Sequence, residues 1–241
     1  MPRNMLTLAA IGAFALSTSA GATTVVIDSF DTGTQDVSIP DGAAGPASGG
    51  VACAGCVGGA RFVWVERRNA SDDAITLEVN PLGFASGWFL YSNETGVDSE
   101  ATVMWDGGAD ATNDHGLSLN LVEGGGFVVE IEADVGVQYE FTVYSDGGAR
   151  SSVGTISISE ALGDGDLLNG GILRTLSIAD FVGDADLTNV SSILMRINGS
   201  PSFDTAIRFV EYRVPEPGSL ALLGLGFVGL AWATQRRRRV L

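Results

Sequence analysis

The feature that most limits the fold is a two-residue alternation of apolar and polar side chains, repeated in short runs along the central region. In GFVVEIEAD, Phe127, Val129 and Ile131 share one face, and Glu130, Glu132 and Asp134 share the other. QYEFTVYS aligns Tyr139, Phe141 and Val143, and TISIS sets Ile156 and Ile158 opposite serines. Successive side chains of a strand point to opposite faces, so this period builds sheets with one dry side. Similar runs are VVIDSF, RFVWVER, AITLEV, WFLYS, TVMWD, LSLNL, ILRTLSI, SILMRI and AIRFVEYR. Turn residues separate them: Asp106-Gly107-Gly108, Asp146-Gly147-Gly148, Asn169-Gly170 and Asn198-Gly199. About a dozen strands at this spacing predict an all-β chain, an antiparallel β-sandwich of jelly-roll-like type. No long helical period occurs outside the two termini, although Ser177 to Val182 suits a single turn. Gly33 to Gly59 reads as a long glycine-rich excursion between the first strands.

Charge narrows the function. The 241 residues include 29 acids, 13 basic residues, all arginine, and one histidine. Setting aside Arg3, Glu216 and Arg236 to Arg239 leaves 28 acids against 8 arginines between the terminal segments, a net −20. Such a domain repels phosphate backbones, which argues against nucleic acid as a partner. It suits solubility and the collection of divalent cations.

The two ends read as addresses. Residues 1–22, MPRNMLTLAAIGAFALSTSAGA, carry Arg3, the apolar segment Met5 to Leu16, and a small-residue end with Ala20-Gly21-Ala22. These are the three parts of a secretory signal peptide, so the mature chain is expected to begin near Thr23, or after Ala20. At the other end, Leu220 to Thr234 has no charge. As a helix it would be about 22 Å long, short against a hydrocarbon core of roughly 30 Å. Bilayer thinning and arginine snorkelling accommodate that length. Arg236, Arg237, Arg238 and Arg239 follow on one flank, and basic residues stay cytoplasmic. Both ends therefore place the acidic domain, residues 23–213, outside the cytoplasm. The expected sequence of locations is an inner-membrane intermediate, then the cell surface or the extracellular space.

Val214-Pro215-Glu216-Pro217, the glycine-containing apolar run and the arginine cluster occur in that order. Together, residues 214–241 resemble the PEP-CTERM sorting tail of exported proteins from bacteria that make exopolysaccharide. The resemblance implies recognition by an exosortase, a membrane-embedded cysteine protease or transpeptidase, that cuts near Pro215-Glu216-Pro217. It then releases the ectodomain or transfers it to the surface. Two prolines hold that segment extended and out of helix or sheet, which suits an accessible recognition site. The membrane helix is then a temporary anchor. The strand layout also loosely resembles the jelly-roll domains of carbohydrate-binding modules, with acids after the first strand (Asp28, Asp31) and before the last (Asp204).

Candidate chemistry is sparse. Cys53-Ala54-Gly55-Cys56 is the one cysteine pair, and an oxidising compartment favours a local disulfide. Its flanks, VACAGCVGGA, lack the helix that activates a redox thiol. Position 57 is valine where a c-type haem site needs histidine, and His115 is too remote to complete a zinc set. His115 itself lies in DGGADATNDHG with Asp106, Asp110 and Asp114, as part of a metal or catalytic loop or of a polar turn. Calcium suits an acidic chain better than zinc, because it takes oxygen ligands. Asp28, Asp31 and Asp204 would supply them if the first and last strands are neighbours. Asp164-Gly165-Asp166 and Asp184-Ala185-Asp186 are alternatives. Trp64, Trp88 and Trp105 are core residues or a sugar-stacking set. No G-x-S-x-G motif occurs.

The expectation is thus an exported, exosortase-sorted surface or matrix protein without enzymatic activity, a structural or adhesion component associated with exopolysaccharide and biofilm. A carbohydrate-binding module proper and a secreted glycan hydrolase are the two alternatives.

Overall fold

Alternation decides which residues become strands, and the computed structural model places fourteen of them among the residues it describes. It describes residues 23–81, 86–113, 115–121, 124–134, 136–159, 171–199 and 201–214. In chain order the strands are β1 (Thr23–Asp28), β2 (Gln35–Asp36), β3 (Ala47–Ala52), β4 (Ala60–Arg67), β5 (Ile75–Val79), β6 (Phe89–Asn93) and β7 (Ser99–Trp105). Then follow β8 (Gly126–Ala133), β9 (Val137–Ser145), β10 (Arg150–Ile158), β11 (Ile172–Ser177), β12 (Val182–Gly183), β13 (Val190–Gly199) and β14 (Asp204–Val214). All pairs are antiparallel.

Two seven-stranded sheets result. The first runs β11-β8-β14-β6-β5-β2, with β1 also on β14; the second runs β12-β10-β9-β13-β7-β4-β3. Each sheet turns its apolar register toward one core. From the first come Phe127, Val129 and Ile131 of β8 and Ile207, Val210 and Tyr212 of β14. From the second come Val63 and Val65 of β4, Val103 and Trp105 of β7, Phe141 of β9 and Ile193 and Met195 of β13. Phe127 joins the layers by stacking on Phe141 at 5.0 Å.

Three local expectations change. Gly33 to Gly59 is structured: β2 joins the first sheet, and β3 forms an edge of the second. ASGGVA reads poorly as a strand because its glycines answer a packing demand. A Cβ on Gly50 would lie 1.7 Å from the carbonyl oxygen of Ala109, which crosses directly over it. LSLNL forms one bridge, Leu119 to Val190, instead of a strand. The turn within Ser177 to Val182 is a 3-10 helix, Ile178–Asp180, capped by the Ser177 side chain.

The first and last strands are neighbours. Thr23 pairs with Val214 and Thr24 with Arg213, so the chain enters and leaves the sandwich at one end. Residues 1–22 and the tail from Pro215 onward, including Glu216, Pro217, Leu220 to Thr234 and Arg236 to Arg239, lie outside the described residues. So do Asp114, Asp164, Asp166, Asn169 and Gly170. Among the described residues no helix is long and apolar enough to cross a membrane.

Candidate ligand-binding face

The outer face of the second sheet carries the side chains that point away from the core. Strand register arranges them in rows. One row reads Ser48, Trp64, Thr102, Arg196, Glu140 and Thr155 across β3, β4, β7, β13, β9 and β10. The row beside it is more apolar: Gly50, Phe62, Met104, Leu194, Thr142 and Val153. On its other side stand Glu66, Glu100, Asn198, Gln138 and Ser157. With neighbouring strands about 4.8 Å apart, a six-strand row spans roughly 24 Å.

An aromatic pair closes one end. Phe62 and Trp64 sit with ring centroids 5.8 Å apart. Because β3 has glycine at position 50, the loop after β7 folds over this edge. Pro46, Ser48, Phe62, Trp64 and Ala111 then line an open cavity of about 250 Å³. Asp106 and Asp110 build that loop: Asp106 accepts from the Gly108 amide at 2.9 Å, and Asp110 from the Thr112 amide at 2.9 Å. The Thr112 hydroxyl and amide hold the Asp110 carboxyl below its ordinary range.

The middle of the face is charged but internally paired. The Arg196 Nη1 donates to Glu140 Oε1 at 2.7 Å. Its Nε lies 3.0 Å from Glu100 Oε1, an ion contact too poorly aligned for a hydrogen bond. Arg68 binds the other Glu100 oxygen. Beside this network, Thr102 Oγ1 and Asn198 Oδ1 are buried and have no hydrogen-bond partner within the protein. A buried polar atom left so costs about 1–3 kcal/mol unless water or a ligand satisfies it. The face therefore offers the partly exposed Trp64 ring beside a cavity, together with tied charges, while the Thr102 and Asn198 oxygens lie beneath it.

The expected sites fall elsewhere. Cys53 and Cys56 form a disulfide within the β3–β4 connection, with Cα atoms 5.5 Å apart, and both are buried. Asp28 lies near their sulfurs, and the three are a close group of metal-type ligands. The sulfurs are bonded to each other, however, and the Asp28 carboxylate is held by the Arg61 guanidinium and the Trp105 indole.

Calcium ligation by Asp28, Asp31 and Asp204 does not assemble. Asp28 faces Val210 across β14, six positions from Asp204, or about 20 Å along the strand. Asp204 stands opposite Ser92 of β6. Asp31 accepts from the Ser29 hydroxyl at 2.6 Å. Asp184 pairs through its backbone amide with Ser151, and Asp186 accepts from Thr188. The His115 Nδ1 meets the Ser192 hydroxyl at 3.1 Å, and its ring lies 5.6 Å from Tyr144. Of the tryptophans, Trp105 is core, Trp88 lies under the Arg208 guanidinium at 5.9 Å, and Trp64 reaches the face.

The last strand decides the identity of the tail. β14 ends at Val214, and residues 213–238 match the PEP-CTERM protein-sorting motif. The chain carries a PEP-CTERM sorting tail. The match covers the C-terminal segment and leaves the sandwich unassigned. The PEP-CTERM motif marks an exported protein with a C-terminal sorting signal.

No curated protein matches the sequence. Among solved structures, the PEP-CTERM chain is similar to the family 11 carbohydrate-binding module of the cellulosomal cellulase Lic26A-Cel5E of Clostridium thermocellum. That match has 10% identity and a TM-score of 0.38, over 79% of this chain and 94% of that one. It is also similar to PfGH50B, at 8% identity and a TM-score of 0.38, and to the agarase AgWH50C, at 11% and 0.37. These matches cover 64% and 63% of this chain, which spans only 22% and 23% of theirs.

Sequence reasoning noticed Trp64 but missed Phe62, Thr102, Glu140, Arg196 and Asn198. Their signal was the outward half of the alternation in RFVWVER, TVMWD, QYEFTVYS and SILMRI, which marks a second face in each strand and not which faces align.

Proposed function

We propose that this is a PEP-CTERM surface protein, handled by an exosortase, whose sandwich binds polysaccharide on the outer face of its second sheet. Its role is non-catalytic: it holds the protein in, or attaches it to, the exopolysaccharide outside the cell. The supporting observation is the half-buried Trp64 ring, packed on Phe62 beside an open cavity and in the same row as the partly exposed Arg196 and Glu140. An aromatic face takes the apolar side of a sugar ring, and the polar side chains further along the row take its hydroxyls. Hydrolysis is disfavoured there because Glu100 and Glu140 are both tied to the Arg196 guanidinium.

For the tail, Val214, Pro215, Glu216 and Pro217 are the proposed recognition segment, and Arg236, Arg237, Arg238 and Arg239 the cytoplasmic stop. Residues 1–22 are the proposed leader. The binding test is affinity electrophoresis of the purified chain through gels containing the exopolysaccharide and a panel of purified glycans. Retardation should weaken about tenfold in Trp64→Ala, a loss of ~1.4 kcal/mol. Equal mobility with and without every glycan would remove the proposal.

A further inference from the structure

The folded sheet runs straight into the sorting motif. The PEP-CTERM match begins at residue 213, and both Arg213 and Val214 are still strand. Val214 is paired with Thr23 and Arg213 with Thr24, and Arg213 is also paired with Gly126 of β8. Arg213 is held further by Glu211 at 2.7 Å and by the Phe209 ring at 5.6 Å. One residue inward, Tyr212 has no exposure and meets Phe127 edge-on at 5.5 Å.

A protease that reads a peptide in extended form pairs with its backbone, so that backbone must first be free of other partners. On the N-terminal side of Pro215 only two residues meet that requirement cheaply. Arg213 and Val214 are half-buried at the sheet end, and their release breaks only the last pairs with β1 and the Arg213–Gly126 pair with β8. Tyr212 cannot follow without withdrawing a large aromatic side chain from the core.

We infer that the sandwich acts as a ruler for its own processing. It confines the cut to bonds on the C-terminal side of Val214, and it slows the cut by holding Arg213 and Val214 against β1. The strand that holds them begins at Thr23, so the N-terminal end of the domain regulates access to the C-terminal motif. The rate then follows the population in which the last two residues of β14 have frayed. This inference rests on the exosortase reading of the tail.

The test uses the full chain expressed in an exosortase-bearing host. Pulse-chase gives the rate, and mass spectrometry gives the new C-terminus. A six-residue Gly/Ser insert between Val214 and Pro215 should raise the rate about tenfold, corresponding to ~1.4 kcal/mol of fraying no longer needed. The cut should keep its distance from Pro215, and the wild-type terminus should fall at Val214 or beyond. An unchanged rate with the insert, or a wild-type terminus upstream of Val214, would overturn the ruler while leaving sorting intact. Wild-type chain that is never cut in its tail, or Glu216→Ala chain cut like wild type, overturns the sorting reading and the ruler with it.

Discussion

The carboxylate of Asp28 and the guanidinium of Arg61 meet at 2.7 Å where neither side chain touches solvent. Asp28 also accepts from Trp105 Nε1 and from the Phe30 amide, each at 2.8 Å. Arg61 donates to Gln35 Oε1 at 2.7 Å and to the carbonyls of Thr32 and Gly33. Burial pushes the Asp28 carboxyl up, against the pull of Arg61 and the hydrogen bonds. The pair thus stands against a desolvation cost, and its loss is worst when only one partner goes. Asp28→Ala and Arg61→Ala should each lose about 3–5 kcal/mol in urea unfolding. Asp28→Leu/Arg61→Met should lose much less than the two single losses added together. Strict additivity would show that the two charges are not coupled.

Alkali should unfold the domain through its tyrosines. Tyr91 and Tyr139 are fully buried, and burial raises the phenol of each, and of Tyr212, above the ordinary value of 10.0. Above pH 10 the unfolded chain has lost protons that the native chain keeps. The contribution is therefore complete below pH 10 and is lost as pH rises, by up to ~1.4 kcal/mol per pH unit per buried tyrosine. Phenolate absorbance from these residues should appear together with the fluorescence change of unfolding. Their ionisation in a still-folded chain would contradict the burial.

The Cys53–Cys56 disulfide closes a very short ring, with a sequence separation of 3. The chain-entropy relation gives about 2 kcal/mol for such a loop. Cys53→Ala/Cys56→Ala should lower the unfolding free energy in urea by that amount and remove the effect of added thiol. A wild type indifferent to reductant would mean the bridge contributes nothing to stability.

Gly50 is where the face and the loop over it are joined. A methyl group there must push Ala109 aside, because its Cβ would lie 1.7 Å from that carbonyl oxygen. Gly50→Ala should destabilise by about 1–3 kcal/mol and, by displacing Ala111 from the cavity, also weaken glycan retention. Gly42→Ala is the contrasting control: Gly42 has a positive φ and no close neighbour, so it brings backbone strain without a clash, whereas Gly50 brings the clash alone. Retention falling equally in both would detach the loop from binding.

The strands were legible wherever one face is dry. VQYEFTVYS alternates because Tyr139, Phe141 and Val143 are core and Glu140, Thr142 and Tyr144 are not. β3 was illegible because its glycines answer a crossing backbone rather than a core. The candidate face was illegible for another reason. Trp64 stands beside Thr102, and Thr102 beside Arg196, only through register, which joins residues far apart in the chain. The calcium set depended on the same thing: its condition, that the first and last strands be neighbours, is met, but register offsets Asp28 from Asp204 along β14. The tail was the most legible part, since sorting signals act as linear sequence.

β14 is an interior strand, eleven residues long, with β8 along one side and β6 and then β1 along the other. It is also the strand that continues into the tail. A pull on Val214 directed along β14 loads those flanking hydrogen bonds together, in shear, instead of opening them one by one. Mechanically, the tail grips the domain by its best-anchored strand. A protein held at one end and dragged by a bound polymer would resist unravelling from that grip.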